Sequence, residues 1–251
     1  MAPDGEAKSA LANGSRAGGS KQATASVDQG GVVLPEHCYY CFDVLEAELK
    51  SSKGSYSRYA STSAAAENVT PHFENTTDDP LFVTWNIFSS HSRKPTPRLR
   101  GCIGTFSPTP LAEGLRDYAL TSALHDTRFD PISTEEMLRL ECGVSLLTDF
   151  EECEDHLDWE IGTHGIYIYL PNPRKSSSRA TLTATYLPDV APAQGWTKEE
   201  AIDSAIEKAG WSGPVDAAMR NSLRVRRYQS AKVSCTYEQW QTWKQSNGAK
   251  P

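Results

Sequence analysis

The sequence lacks the features that assign a chain to the membrane, secreted or general nucleic-acid-binding classes. No apolar run approaches the ~18 residues of a membrane-spanning helix, and the first residues have neither the basic start nor the apolar core of a secretory signal. Basic residues are in deficit, with 25 Lys and Arg against 32 Asp and Glu, a net charge of −7. Because Lys and Arg supply most of the affinity for phosphates, this acidity argues against nucleic acid as a partner.

Common catalytic motifs are missing as well. The chain contains no P-loop, no G-x-G-x-x-G, no G-x-S-x-G and no H-E-x-x-H, so no cofactor is identified. Six cysteines are too few for a disulfide scaffold and are typical of an intracellular protein with reduced thiols. Cys38 and Cys41 have the spacing of a zinc or redox motif, but no second such pair exists to complete a metal site. We therefore expect no metal and predict that both cysteines share a buried helix face.

Hydrophobic residues make up only 38% of the chain, below the ~45–50% of globular proteins. The shortfall is concentrated in residues 1–31, where Met1, Leu11 and Val27 are the only large apolar side chains. Such a segment cannot bury enough surface to offset its chain entropy, so we predict that it is a disordered tail. We predict one domain over residues 32–246 and a short tail over 247–251.

Apolar spacing, capping boxes and turn residues predict the elements of this domain. The predicted helices cover 35–50, 110–126, a short segment from the capping box at 133–136, a segment from the capping box at 197–200 that stops at Gly210, and 236–244. The predicted strands cover 81–88, 99–106, 142–148, 165–170, 181–187 and one or two strands within 223–235, with a long loop at 51–79. These elements do not alternate in a regular βαβα order. The predicted fold class is therefore α+β, with antiparallel sheets and flanking helices.

The most unusual stretch is Leu99-Arg-Gly-Cys-Ile-Gly104, which has two glycines inside a predicted strand. Glycine within a strand often marks a bulge or the close approach of another backbone or a ligand. The planar fork of Arg100 suits a carboxylate or phosphate, and Cys102 close to it has the setting of an activated nucleophile. The alternative is that Cys102 is a small buried residue and the glycines serve packing.

A second candidate stretch is Asp158-Trp-Glu-Ile-Gly-Thr-His-Gly165. His164, with Glu160 and Asp158 upstream, has the residue types of an acid/base pair or of metal ligands. If Cys102, His164 and Glu160 met in space, they would form a Cys-His-acid constellation. The alternative is a polar turn in which His164 caps backbone groups.

Two charge clusters complete the candidates. Residues 149–160 hold seven acids, which suit a divalent cation, a solvated face or a protein-docking surface. Arg220, Arg224, Arg226 and Arg227 form the only basic cluster, and with Tyr228 they offer a site for an anion or RNA. Four arginines in an acidic protein are weak evidence for such a site.

These residues together resemble the AMMECR domain family, whose signature L-R-G-C-I-G is intact as Leu99 to Gly104. The matching segments include Phe82-Val-Thr-Trp85, Gly104-Thr-Phe106, Thr121-Ser-Ala-Leu124, Asp126-Thr-Arg-Phe129, Val144-Ser-Leu-Leu147, Leu157-Asp-Trp-Glu160, His164-Gly-Ile166, Ala184-Thr-Tyr-Leu-Pro188 and Arg227-Tyr228. The resemblance covers nearly the whole domain, and Cys41-Phe-Asp-Val-Leu45 is similar to the N-terminal helix of the eukaryotic branch.

The resemblance implies an α+β fold of two subdomains around a cleft, the larger containing both chain ends and the smaller inserted. It implies no settled activity. Eukaryotic members are treated as regulatory or interaction proteins of nucleus and cytoplasm, and prokaryotic fusions suggest a Memo-like protein as a possible partner. We therefore expect an intracellular protein, in nucleus or cytoplasm, that binds a protein or peptide in this cleft. The predicted binding residues are Leu99, Arg100, Gly101, Cys102, Ile103, Gly104, Asp126, Arg128 and Asp158.

An enzyme is the alternative that stays open. In that case Cys102 is the nucleophile or redox thiol, His164 and Glu160 assist it, and Arg100 holds an anionic substrate.

Overall fold

The computed structural model describes residues 7–8, 33–51, 62–75, 77–89, 96–172 and 181–247. Most of the predicted N-terminal tail, part of the predicted loop at 51–79 and the last four residues lie outside these ranges. The described chain falls into two compact units. The large unit contains residues 7–8, 33–146 and 231–247, and the inserted unit contains residues 147–230.

The elements follow one another as a mixture of helices and strands. In chain order they are β1 (Ala7–Lys8), α1 (Pro35–Ser51), α2 (Ala64–Glu67), β2 (Leu81–Phe88), β3 (Pro97–Thr105), α3 (Leu111–Leu120), a π-helical turn (Thr121–His125), a 3₁₀ helix (Thr134–Arg139), β4 (Leu140–Glu152), β5 (Gly165–Pro171), β6 (Thr181–Tyr186), α4 (Val190–Gln194), α5 (Lys198–Lys208), α6 (Ala217–Asn221), β7 (Arg224–Thr236) and α7 (Tyr237–Asn247). The strands pair antiparallel. The predicted α+β class is confirmed, and none of the described helices is long and apolar enough to span a bilayer.

In the large unit, β2 is paired on one side with β3 and on the other with the first part of β4. Helix α1 buries the apolar face that its sequence spacing predicts, including Cys38, Phe42 and Leu45. The Phe42 ring packs edge-on against Trp85 of β2, at 5.1 Å between centroids, and stacks on Trp240 of α7, at 5.2 Å. These aromatic contacts join the first and last long helices to the strand that pairs with the motif.

In the inserted unit, β5 pairs with β6 on one side and with β7 on the other. Alternation divides β5 into two faces, because Ile166 and Ile168 are buried while Tyr167 and Tyr169 are only partly so. The buried face joins Val225 of β7 and the apolar side of α5 in one core. Helix α5 has the predicted capping box, in which Thr197 caps the backbone N–H of Glu200 and Glu200 in turn accepts from Thr197.

The clearest difference from the predicted elements lies at residues 110–126. One helix is predicted there, whereas α3 ends at Leu120 and a π-helical turn continues to His125. The Ser122 hydroxyl donates to the carbonyls of Tyr118, at 2.6 Å, and Ala119, at 3.3 Å, so it competes with the regular helical pattern. Single π-helical turns of this kind frequently lie at functional sites.

Candidate functional site

The motif residues Leu99 to Gly104 lie on β3, and their glycines are required for packing. A Cβ on Gly101 would overlap the backbone carbonyl of Ser122 in the π-helical turn. A Cβ on Gly104 would overlap the carbonyl of Leu81 and the ring of Phe82 on β2. Both glycines therefore permit backbone to approach backbone, which no other residue allows at these positions.

The Cys102 thiol is closed off from solvent, with the residue only 1% exposed. Its sulfur accepts a hydrogen bond from the Thr84 hydroxyl on the neighbouring strand, at 3.1 Å. Burial raises the pKa of the Cys102 thiol above its usual range, and the hydrogen bond from Thr84 offsets this only in part. A buried thiol with a raised pKa has little thiolate character, which argues against a nucleophilic role.

Asp126 and Arg128 hold the backbone of Cys102 from the side away from β2. The Asp126 carboxylate accepts from the Cys102 N–H at 3.1 Å, and the Arg128 guanidinium donates to the Cys102 carbonyl at 3.1 Å. The two side chains also pair with each other at 2.6 Å. Burial alone would raise the pKa of Asp126, but the bonds from Arg128 and from the Cys102 N–H lower it below its usual range. The pair thus provides hydrogen-bond partners for the N–H and carbonyl of Cys102 on the side of β3 that does not face β2.

Arg100 is held in a similar way on the same strand. Its Nε and Nη2 donate to both carboxylate oxygens of Glu136, at 2.8 and 2.9 Å. Its Nη1 donates to the Asp130 carbonyl at 2.6 Å, and Nη2 also donates to the Pro131 carbonyl at 3.2 Å. Within the described part of the chain, four of the five N–H groups of a guanidinium are used in this way. Arg100 therefore has little capacity left to hold the anionic substrate that the enzyme hypothesis requires.

A pocket of about 470 Å³ lies beside the motif in the large unit. Its lining residues are Arg100, Thr127, Arg128, Phe129 and Asp130. Arg128 lies over the Phe129 ring, with 5.4 Å between the guanidinium carbon and the ring centroid. The structure thus brings Leu99 to Gly104, Asp126 and Arg128 together. Thr127, Phe129 and Asp130 were not among the predicted binding residues, although they adjoin the predicted Asp126 and Arg128.

The other predicted site residues lie in the inserted unit. The His164 Nδ1 accepts from the Glu160 backbone N–H at 2.9 Å, and the His164 backbone N–H returns a bond to the Glu160 carbonyl at 2.9 Å. The Glu160 carboxylate, mostly exposed, pairs with Lys198 at 3.1 Å. This is the geometry of a capped turn. Cys102 belongs to the large unit, so the Cys102, His164 and Glu160 constellation stays a prediction.

Asp158 forms an ion pair with an arginine of the basic cluster, so its carboxylate is not available to bind a partner in the way predicted. Its carboxylate accepts from the Glu154 backbone N–H at 3.1 Å and from Arg227 at 2.6 Å, and these bonds, the first most strongly, lower the pKa of Asp158. Arg227 also pairs with Glu151 at 2.8 Å. The acidic run of residues 149–160 and the arginine cluster therefore neutralise each other in part.

The C-x-x-C pair is buried in a core that also contains two other cysteines. Cys38 and Cys41 are fully buried on α1, with Cys142 and Cys235 also buried in the same core. Burial raises the pKa of the Cys41 and Cys142 thiols. Among the described residues, no group of three or more His, Cys, Asp or Glu side chains is arranged to hold a metal ion.

A second cavity in the large unit, of about 400 Å³, contains none of the predicted site residues. Its lining residues are Asp43, Glu46, Val69, Thr70, His72, Trp243, Lys244 and Asn247. The charged groups are already paired, since Asp43 contacts His72 at 3.0 Å and Lys244 at 3.3 Å. These residues come from α1, from α7 and from the segment that follows α2, so only the tertiary structure brings them together and local sequence spacing does not predict the cavity.

Comparisons with known proteins agree with the motif and the fold. The AMMECR1 family profile matches residues 38–233. An uncharacterized protein of Arabidopsis thaliana is 43% identical over 205 residues, covering 82% of this chain and 86% of its own. An uncharacterized protein of Schizosaccharomyces pombe is 37% identical over 205 residues, covering 82% of this chain and 94% of its own.

Among solved structures, an uncharacterized Pyrococcus horikoshii protein has a similar fold. Its TM-score is 0.57 at 24% identity, and the match covers 79% of this chain and 91% of that one. At this identity the likeness shows the fold alone. The profile match and the plant and yeast relatives show more than that: the chain belongs to the AMMECR1 family.

Proposed function

We propose that this chain is a binding protein that takes a protein or peptide at the pocket beside the motif strand. The observation that carries the proposal is the contrast between the closed Cys102 thiol and the pocket next to it. The motif's glycines and cysteine are used in packing. The side chains that line the pocket come mainly from the loop that follows Asp126.

The lining chemistry favours a polypeptide over a small apolar ligand. Small-molecule sites are lined mainly by hydrophobic and aromatic side chains. Here Phe129 is the one hydrophobic side chain among the five lining residues. Aromatic residues and arginine, which Phe129 and Arg128 provide in contact, are the residue types enriched at protein interfaces.

The pocket is also preorganised, which lowers the entropy cost of binding. Glu136 holds Arg100 through two hydrogen bonds, and Asp126 holds Arg128 through its guanidinium and its backbone N–H. Two lining side chains are therefore positioned in advance of any partner.

Photo-crosslinking tests the proposal. A benzophenone amino acid at the exposed position Thr127 is expected to capture a polypeptide, and Phe129→Ala is expected to abolish that capture. The same amino acid at Glu199, exposed in the inserted unit, is the matched control and is expected to capture none of it.

Cys102→Ser separates binding from thiol chemistry. If Cys102 only packs, the folded variant still captures the polypeptide at Thr127. Loss of capture in Cys102→Ser together with retention in Phe129→Ala would overturn the proposal and favour the enzyme.

A further inference from the structure

A set of aromatic and arginine side chains occupies the face of the inserted unit opposite its core. We define this aromatic–arginine face as Phe150, Tyr167, Tyr169, Arg224 and Arg226. Tyr167 lies opposite Arg226 in the β5–β7 register, and Tyr169 lies opposite Arg224. Because Ile166, Ile168 and Val225 alternate with these residues and are buried, the tyrosines and arginines project from the other side.

The residues of this face contact one another in two groups, one of Tyr167, Tyr169 and Arg224 and one of Phe150 and Arg226. The Arg224 guanidinium lies 3.9 Å from the centroid of the Tyr169 ring, and the Arg226 guanidinium lies 4.6 Å from that of Phe150. The Tyr167 and Tyr169 rings are 4.8 Å apart. Cation–π contacts of this kind attract a guanidinium to the face of an aromatic ring without using its N–H groups as hydrogen-bond donors to an oxygen.

A buried tyrosine, Tyr228, supports the aromatic–arginine face at Phe150. Tyr228 stacks on Phe150, at 5.3 Å between centroids, and its ring occupies the space that a Cβ on Gly165 would fill. Its hydroxyl is bonded to the Thr185 hydroxyl at 2.9 Å and donates to the Tyr186 carbonyl at 3.1 Å. The face therefore rests on a rigid support.

The charge of Arg224 and Arg226 is weakly compensated. Both approach one carboxylate, that of Glu152, at 4.0 and 3.9 Å, which is beyond hydrogen-bond distance. Their side chains are 62% and 40% exposed. Nowhere in the described ranges does another group accept a hydrogen bond from either guanidinium. The neighbouring Arg227, by contrast, makes ion pairs at 2.6 and 2.8 Å.

We propose that this face binds an extended acidic peptide segment whose carboxylates occupy alternate positions. Arg224 and Arg226 are two residues apart on one strand, about 7 Å, and carboxylates at positions i and i+2 of an extended chain have the same spacing. The planar fork of each guanidinium can donate two hydrogen bonds to a carboxylate. The tyrosines and Phe150 supply the aromatic surface typical of interface centres. RNA fits less well, because it carries a phosphate at every nucleotide and those beyond the two arginines would meet the acids of residues 149–160, whereas a peptide can carry only the two carboxylates that the arginines bind.

Fluorescence anisotropy with defined probes tests this inference. The probe, called the alternating peptide, is a fluorescein-labelled eight-residue chain of Ser with Glu at positions 4 and 6, and the control peptide has the same composition with its two Glu adjacent at positions 4 and 5. We expect the alternating peptide to bind more tightly. We expect Arg226→Glu to weaken its binding about tenfold, because a charge reversal replaces attraction by repulsion. Arg98→Glu, at an exposed arginine of the large unit, is the matched control and should leave binding unchanged.

Three outcomes would overturn the inference. They are equal affinity for the two peptides, equal loss in Arg226→Glu and Arg98→Glu, and tighter binding of a ten-nucleotide oligouridine with a steep salt dependence. If Arg226→Glu does not fold, Arg224→Gln replaces it in the test. This variant removes one charge at the more exposed of the two arginines and should still weaken peptide binding. Phe129→Ala should not change this binding, so failure here is distinguishable from failure of the pocket proposed in the large unit.

Discussion

Two arginines of the large unit and two of the inserted unit are used in opposite ways. In the large unit, Arg100 and Arg128 make close ion pairs at 2.8 and 2.6 Å, and both also bond to backbone carbonyls. In the inserted unit, Arg224 and Arg226 share one carboxylate at 3.9 to 4.0 Å and lie on aromatic rings. A guanidinium whose donors are satisfied internally stabilises a scaffold, whereas one whose donors face solvent retains the capacity to bind.

The same contrast applies to the glycines of the two units. Gly101 makes room for a backbone carbonyl, which cannot move without moving the π-helical turn. Gly165 makes room for the Tyr228 ring, which supports an exposed face. The signature motif of the family is therefore the structural support of its region, and the groups that can meet a partner lie next to it or on the other unit.

The largest expected effect is that of Gly101→Ala. The added methyl would overlap the Ser122 carbonyl, so we expect the free energy of unfolding to fall by about 3 kcal/mol. Urea unfolding followed by circular dichroism measures this. Gly143→Ala on β4 is the control, because its Cβ would meet most closely the Ser234 hydroxyl, at 3.2 Å, and that group can rotate away. A similar small loss in both variants would show that the motif glycine is not a packing requirement.

A somewhat smaller effect, about 2 kcal/mol, is expected for Asp126→Asn, which leaves Arg128 without its charge partner. The pKa of Asp126 is lower in the folded chain than the ordinary value of about 3.9. The ionised carboxylate therefore stabilises the fold above about pH 4, and this contribution is lost as the pH falls below that value towards the folded-state pKa. Unfolding measured between pH 7 and pH 3 should show less acid sensitivity in Asp126→Asn than in the wild type.

Asp117→Asn is the matched control for that comparison. Asp117 also pairs with a nearby arginine, Arg116, at 3.0 Å, but its side chain is 59% exposed. Exposed pairs contribute little, so the control should change stability by less than about 0.5 kcal/mol. If the two variants lose equal stability, the Asp126 pair is no more than a surface contact.

The smallest expected effect is that of Arg226→Ala on stability, about 0.5 kcal/mol, because an exposed cation–π contact contributes little. Arg227→Ala, at the adjacent position, should cost more, since it removes contacts to Glu151 and Asp158. Thermal unfolding of the two variants side by side measures the difference. A larger loss in Arg226→Ala would mean that the aromatic–arginine face is a structural layer like the motif.

Much of the fold is predictable because its signals are local. Strand β2 has the predicted bounds at both ends, and α1 differs from prediction by one residue. The capping box at Thr197 and the helix stop at Gly210, which has a φ of +101°, both lie at the predicted positions. Helix α2 lies inside a predicted loop, because four residues are too few to show helical periodicity.

The candidate sites are only partly predictable. The sequence alone identifies the motif on β3 and the pair Asp126 and Arg128, and these residues do lie together in the fold. Glu136 is visible in the sequence only as part of a capping box, and its partner Arg100 is 36 residues away. The tyrosines of β5 are visible as part of a strand, but nothing local indicates that Arg224 and Arg226 lie opposite them.

By itself, the sequence determined the family, the α+β class, most element bounds and the unusual motif, because periodicity, capping and a six-residue signature act over short distances. Only the tertiary structure decided that Cys102 is enclosed, that Arg100 and Arg128 are internally paired, and that Arg224 and Arg226 are paired only weakly. These outcomes depend on which groups far apart in the chain come within hydrogen-bond distance. Burial and pairing, not residue type, set whether a thiol is reactive and whether an arginine can still bind.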